Sequence, residues 1–354
     1  MVENTFSRPI LSRLILVWGV FFLICFSLGY PTLNRYSPTT AGATAEKPYG
    51  SLVDTLHYAD LVENGFMDTP DSIWRYRVLV PYVAKPFYAL AKGNIGSWNP
   101  VYFGLLVANS IFIASAAILL FMIGSAVTGS ATVGFISSLL LLSHFNISNL
   151  YLAGLVDSSE LFLMILTAWL LLNNKWQMLP LVAVLAFLSR ETTVVFTSGL
   201  AAGWLIVEAV RNGLRRPQIY RSGGYLLVAI VIGLGGLLAL RYVGTSALVP
   251  GWLQRAGSDP AAINLSTGMS NLVTSKTLLY SFVWLLPLGL AGLKSVSGNW
   301  VWASVMTTGG AFLMIIFMDA GDNAARPLFN TLGPVLLVGA AVVITRWLKL
   351  ERSP

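Results

Sequence analysis

The chain has 354 residues, 56% of them hydrophobic and only 10% charged, with a formal net charge of +7. Soluble globular chains carry roughly 25% charged residues, so this composition excludes a soluble enzyme, a nucleic-acid binder and a disordered scaffold. In so apolar a chain the basic excess reads as membrane orientation, and the single cysteine, Cys25, excludes an intrachain disulfide or a cysteine metal framework.

The sequence predicts an all-α polytopic membrane protein with about ten transmembrane helices, some short or broken, forming a single transmembrane domain over 1–354. The first apolar run, 14–29, follows Arg8 and Arg13. It reads as an uncleaved anchor with a cytoplasmic N-terminus, because the only A-x-A-like stretch, Ala43-Thr-Ala45, lies too far beyond it for ordinary cleavage. Residues 30–100 form an elaborated first extracytoplasmic loop. Within it SLVDTLHYADLVENG predicts a helix capped by Gly65, and VLVPYVAKPFYALAK, with Pro81 and Pro86, an amphipathic interfacial helix.

Further apolar runs cover 101–124, 131–149, 159–172, 179–189, 193–209, 224–240, 277–293, 300–318 and 327–345. Several fall short of the roughly 20 residues that a full span needs, which predicts helices enclosing a cavity. Read as one helix, 179–209 would bury Arg190 and Glu191 near mid-bilayer. The chain is therefore expected to break there and bring SRETT (189–193) to the outer face. Ten crossings put both termini in the cytoplasm, where the segments then carry eleven basic residues against three acidic ones, with the densest cluster at 211–221.

The remaining polar chemistry gathers at the opposite face. In the first loop Asp54 and Tyr58 are four apart and His57 and Asp60 three apart, so each pair shares a helical face. Arg75 and Arg77 flank Tyr76 before the interfacial segment, LVDSSE supplies Asp157 and Glu160, and SRETT supplies Arg190 and Glu191. DAGDNAARP adds Asp319, Asp322 and Arg326, while Arg241 ends a helix and reads as an interfacial anchor. Each has a plain alternative: a solvated helix face, an N-cap, a structural ion pair or a polar turn. Their common location points further, because ionisable groups at a membrane are costly and mark functional cavities. Arginine forks suit phosphate oxygens, and a carboxylate can accept a hydroxyl proton.

Competing chemistries lack their residues. The only histidines are His57 and His144, and HExxH, GxSxG and Walker motifs are missing from the sequence. The eleven tryptophans and thirteen tyrosines suit interfacial belts.

A first span followed by D-x-x-x-Y-A-x-x-x-x-x-G, here Asp54, Tyr58, Ala59 and Gly65, resembles the integral-membrane glycosyltransferases of the GT-C fold. WRYRVLVPYVAK is similar to their stretch leading into an interfacial helix. LVDSSELFLMILTAWLLL, LAFLSRETTVVF and ARPLFNTLGPVLL resemble elements of the bacterial members. The resemblance implies a polyprenyl-phosphate sugar donor, a glycan, lipid or protein hydroxyl as acceptor, and inverting transfer at the outer face.

By position it implies Asp54 as general base and Asp60 as a second catalytic candidate. His57, Tyr58, Arg75, Arg77, Asp157, Glu160, Arg190, Glu191, Asp322 and Arg326 would form the substrate-binding set. No cofactor is expected, a divalent metal has no tight Asp-x-Asp pair to hold it, and the partners are membrane lipids rather than nucleic acid. The implied location is a bacterial inner membrane with the active face extracytoplasmic. The alternatives are a non-catalytic membrane subunit or assembly factor, or a flippase or transporter for an anionic lipid-linked precursor.

Overall fold

The computed structural model describes residues 8–36, 53–65, 73–96, 98–213, 216–245, 265–317 and 324–349. Among them the secondary structure is helical, without strands. The chain order is α1 (Arg8–Tyr36), α2 (Val53–Glu63), α3 (Leu79–Ala91), α4 (Pro100–Thr128), α5 (Ala131–Leu142), α6 (Asp157–Leu172), α7 (Leu179–Ser189), α8 (Glu191–Asn212) and α9 (Pro217–Thr245). There follow α10 (Leu265–Thr274), α11 (Lys276–Phe282), α12 (Leu285–Gly292), α13 (Gly298–Phe317) and α14 (Ala325–Trp347).

Among the described residues seven helical stretches are long and apolar enough to cross a membrane: Ser12–Pro31, Pro100–Thr128, Glu191–Asn212, Pro217–Tyr242, Lys276–Ser295, Gly298–Ile316 and Ala325–Trp347. The protein is an all-α, multi-pass membrane protein. The helices α5 and α7 are apolar but shorter, and α6 begins with two acids.

Burial sorts the helices into a centre and a rim. The apolar window of α14 is 83% buried and that of α4 67%, against 17% for α1 and for α9. Ile15, Leu16 and Leu23 on α1 and Leu227, Val231 and Leu234 on α9 stay exposed, the pattern of helices turned to lipid. Lipid tails are as apolar as leucine, so the helices associate by close packing rather than by apolar burial. Small residues supply it between α12 and α14, where a Cβ on Gly292 would strike the Gly339 carbonyl and one on Gly339 the Gly289 carbonyl.

The expected helix in the first loop is α2, and Gly65, with φ 84°, closes it by donating its N–H to the Leu61 carbonyl at 3.2 Å. Its buried face, Thr55, Tyr58, Leu61 and Val62, packs with Val80 and Ala84 of α3 and Leu105 of α4. The amphipathic segment is α3, with Val80, Ala84, Tyr88 and Ala91 buried and Tyr82 and Leu90 exposed. It packs along α4, where Gly104 lets the α3 backbone approach: a Cβ there would lie 2.8 Å from the Ala84 carbonyl.

The run expected over 131–149 departs from a single helix. α5 stops at Leu142, and after Ser143 and His144 the chain makes a π-helical turn over Ile147–Tyr151. Polar side chains cause the break. His144 Nδ1 accepts the Asn146 N–H at 3.2 Å, Nε2 meets the Ser281 carbonyl at 2.9 Å, and Ser281 donates to Asn146 Oδ1 at 2.8 Å. The break expected at SRETT is present. Arg190 is extended, at φ −167° and ψ 152°, and separates α7 from α8.

Candidate functional site

Three helices begin close enough for side chains at their starts to bond one another, and each brings charge in its first turn. Asp157 and Glu160 start α6, Glu191 starts α8 and Arg326 starts α14. Carboxylates suit the positive end of a helix, whereas an arginine there is unfavourable unless an acid faces it. Asp157 is that acid. It is 1% exposed and accepts Arg190 Nη1 on Oδ1 at 2.9 Å and Arg326 Nη1 on Oδ2 at 3.0 Å. The N-cap of α6 is Val156, so Asp157 is a bridging ion rather than a cap.

A second junction lies beside the first. Glu191 receives Arg77 Nε at 3.3 Å and Arg241 Nη2 at 3.4 Å. Arg77 also donates to the Tyr58 hydroxyl at 3.2 Å, and Arg241 lies 5.6 Å from the centre of the Tyr76 ring. Burial pushes the Tyr58 phenol above its ordinary value while Arg77 and Arg190 oppose it, so Tyr58 accepts from Arg77 as a neutral group. Burial disfavours the Arg77 charge, but Tyr58 and Glu191 outweigh it and hold that guanidinium protonated.

Glu160 has a different environment. Its Oε2 accepts hydroxyls from Thr192 at 2.5 Å and Thr193 at 3.0 Å, and its Oε1 accepts Asn330 Nδ2 at 2.7 Å. Tyr151 donates to Asn330 Oδ1 at 2.6 Å, and Ser159 and Ser189 meet at 2.7 Å. Ser158 bonds Asn109 of α4. Asn109 is nine residues past the start of α4, so the cluster sits about 14 Å along that helix from its first residue. Nearer that end Trp98 stacks on Tyr30, with ring centres 4.7 Å apart.

The loop helix α2 brings Asp54 to this cluster. Thr55 Oγ1 donates to the Ala153 carbonyl at 3.0 Å, which fixes the first turn of α2 against the segment leading into α6. Asp54 is partly buried and within electrostatic reach of Tyr58 and Arg326. Among the described residues its carboxylate has no hydrogen-bond or ion-pair partner.

Of the residues singled out in the sequence, the structure gathers Asp54, Tyr58, Arg77, Asp157, Glu160, Arg190, Glu191 and Arg326. Asp60 accepts Asn64 Nδ2 at 2.6 Å, and six residues from Asp54 it is turned by about 240° around the helix. His57 stacks on Trp74 with ring centres 4.0 Å apart, and Arg75 is partly buried next along. Asp319 and Asp322 lie outside the described residues.

The reading of Arg241 as an interfacial anchor is corrected: it is 7% exposed and holds Glu191, because α9 ends where α8 begins. Tyr151, Asn330, Thr192 and Thr193 were missed as partners of the cluster. Their signal was only polarity inside apolar or short segments. Among the described residues no three His, Cys, Asp or Glu side chains converge as a metal-binding group. Comparison of the chain with known protein families and with characterised proteins finds no match in either.

Proposed function

We propose that the chain is a membrane-embedded glycosyltransferase of the GT-C type, transferring a sugar from a polyprenyl-phosphate donor to a hydroxyl acceptor. The observation that carries this reading is Asp54: a partly buried carboxylate without a bonding partner among the described residues, held within electrostatic reach of Arg326, whose guanidinium is itself fixed by Asp157. In the proposed step Asp54 accepts the acceptor hydroxyl's proton as that oxygen attacks the anomeric carbon. The bond from the anomeric carbon to the phosphate oxygen breaks with inversion, and polyprenyl phosphate leaves. Arg190 and Arg326 present N–H donors to the phosphate, and Arg190 Nε is a buried donor without a partner.

The topology proposed with it has ten passes, made by the seven long stretches together with α5, α6 and α7. Arg211, paired with Asn299 at 2.7 Å, and Arg346, paired with Ser295 at 2.8 Å, lie at the helix ends opposite the charged cluster. Basic residues at that end favour a cytoplasmic face there and an extracytoplasmic site, and the membrane proposed with this topology is a bacterial inner membrane.

A second reading, an accessory subunit without catalysis, is favoured by one observation. Asp157 and Glu191 each already occupy two guanidiniums, an arrangement that can serve structure alone. Transfer of radiolabelled sugar from a panel of polyprenyl-phosphate donors in reconstituted membranes separates the two. Asp54→Asn should lower transfer by about 10²–10⁴. Equal transfer in both proteins overturns Asp54 as base, and no transfer from any donor favours the accessory subunit.

A further inference from the structure

At the helix ends opposite the charged cluster lies a cavity of about 580 Å³ that the proposed transfer reaction does not use. It falls in the ordinary size range of small-molecule sites and is lined chiefly by polar groups. Glu208 enters it from the last two turns of α8, Arg221 and Gln218 from the beginning of α9, and Gln177 and Trp176 from the turn before α7.

Glu208 and Arg221 line the same cavity yet form no salt bridge with each other. Arg221 turns to its own helix, donating to the Tyr225 hydroxyl at 3.4 Å and lying 5.8 Å from that ring's centre. Glu208 Oε2 is buried with no hydrogen-bond partner. A buried carboxylate oxygen without a partner is costly, and a cation held in the cavity beside that side chain offsets the cost through its charge. The helix ends reinforce the division of charge. The C-terminal end of α8 beside Glu208 favours a cation, and the N-terminal end of α9 beside Arg221 favours an anion.

We propose that this cavity binds a zwitterion carrying a primary ammonium and a phosphate, the chemistry of phosphoethanolamine. The ammonium donates to the Glu208 carboxylate, the phosphate accepts from Arg221 at the start of α9, and Gln177 and Gln218 flank the ligand. That chemistry occurs both as a phospholipid headgroup and as a free metabolite.

The test is native mass spectrometry of the full chain in maltoside micelles. The probes are short-chain phosphatidylethanolamine, phosphatidylcholine, phosphatidylglycerol and free phosphoethanolamine. The expected result is saturable binding of the ethanolamine compounds and binding of the choline lipid at least about tenfold weaker, since its quaternary ammonium has no N–H to donate. Glu208→Gln and Arg221→Gln should each weaken binding about tenfold with an unchanged melting temperature. Arg221 is exposed, so its variant keeps the test valid if Glu208→Gln fails to fold. Binding of the lipid alone identifies a headgroup site, and equal binding of free phosphoethanolamine identifies a soluble ligand. Phosphatidylglycerol bound as tightly as phosphatidylethanolamine, no binding of either ethanolamine compound, or binding unchanged in both variants overturns the proposal.

Discussion

Arg190 and Glu191 are adjacent in sequence and face different partners: Arg190 reaches Asp157 on α6 at 2.9 Å, while Glu191 takes Arg77 and Arg241. The extended backbone at Arg190, between two helices, is what splays the two side chains apart. One break in the chain therefore ties α6, α14, α9 and the segment before α3 into a single charged network.

Asp157 should be the most sensitive residue of that network. Asp157→Asn removes the carboxylate that two largely buried guanidiniums share, and breaking a buried pair by removing one partner costs about 3–5 kcal/mol. Glu160→Gln should cost distinctly less, because its partners Thr192, Thr193 and Asn330 are neutral donors. Thermal unfolding of the two variants in the same detergent checks the order, and equal losses would contradict it.

Within the first loop the two aspartates should separate cleanly. Asp60→Asn should leave sugar transfer within about twofold of wild type, since Asp60 binds Asn64 on another face of α2. Asp54→Asn should fall by the margin expected for a general base, about 10²–10⁴. A fall in transfer for Asp60→Asn similar to that for Asp54→Asn would place both carboxylates at the acceptor.

Arg241→Gln should behave like Arg77→Gln, and unlike removal of a surface anchor. Each variant takes one of the two guanidiniums from Glu191, so each should lower the melting temperature, and the double variant should lose more than the sum of the two, because only it leaves the Glu191 carboxylate with neither. Additive losses would show that the two arginines act independently.

The α12–α14 contact should tolerate no side chain. Gly339→Leu drives its side chain into the Gly289 backbone, and because backbone cannot yield as a flexible side chain does, the loss should be at least about 1–3 kcal/mol. Gly224→Leu is the control, since nothing lies within 4 Å of its Cβ position, and its stability should stay close to wild type.

The membrane character, the helical class, the α2 helix with its Gly65 terminator and the break at Arg190 were all legible in the chain. They follow from local causes: apolar run length, a glycine able to take positive φ, and the cost of charge at mid-bilayer. So was the list of charged residues near one face, because few charges exist in so apolar a chain.

Their pairing was not legible. Asp157 meets Arg326 across 169 positions and Glu191 meets Arg241 across 50, and no periodicity encodes which helix starts come together. The sequence by itself determined that carboxylates and arginines would gather at one end of an apolar body. Only the tertiary structure decided that Asp157 and Glu191 would be taken up by arginines while Asp54 kept its carboxylate without a bond among the described residues. Pairing depends on the positions of helix ends, which are set by the packing of whole helices through contacts such as Gly339 on Gly289.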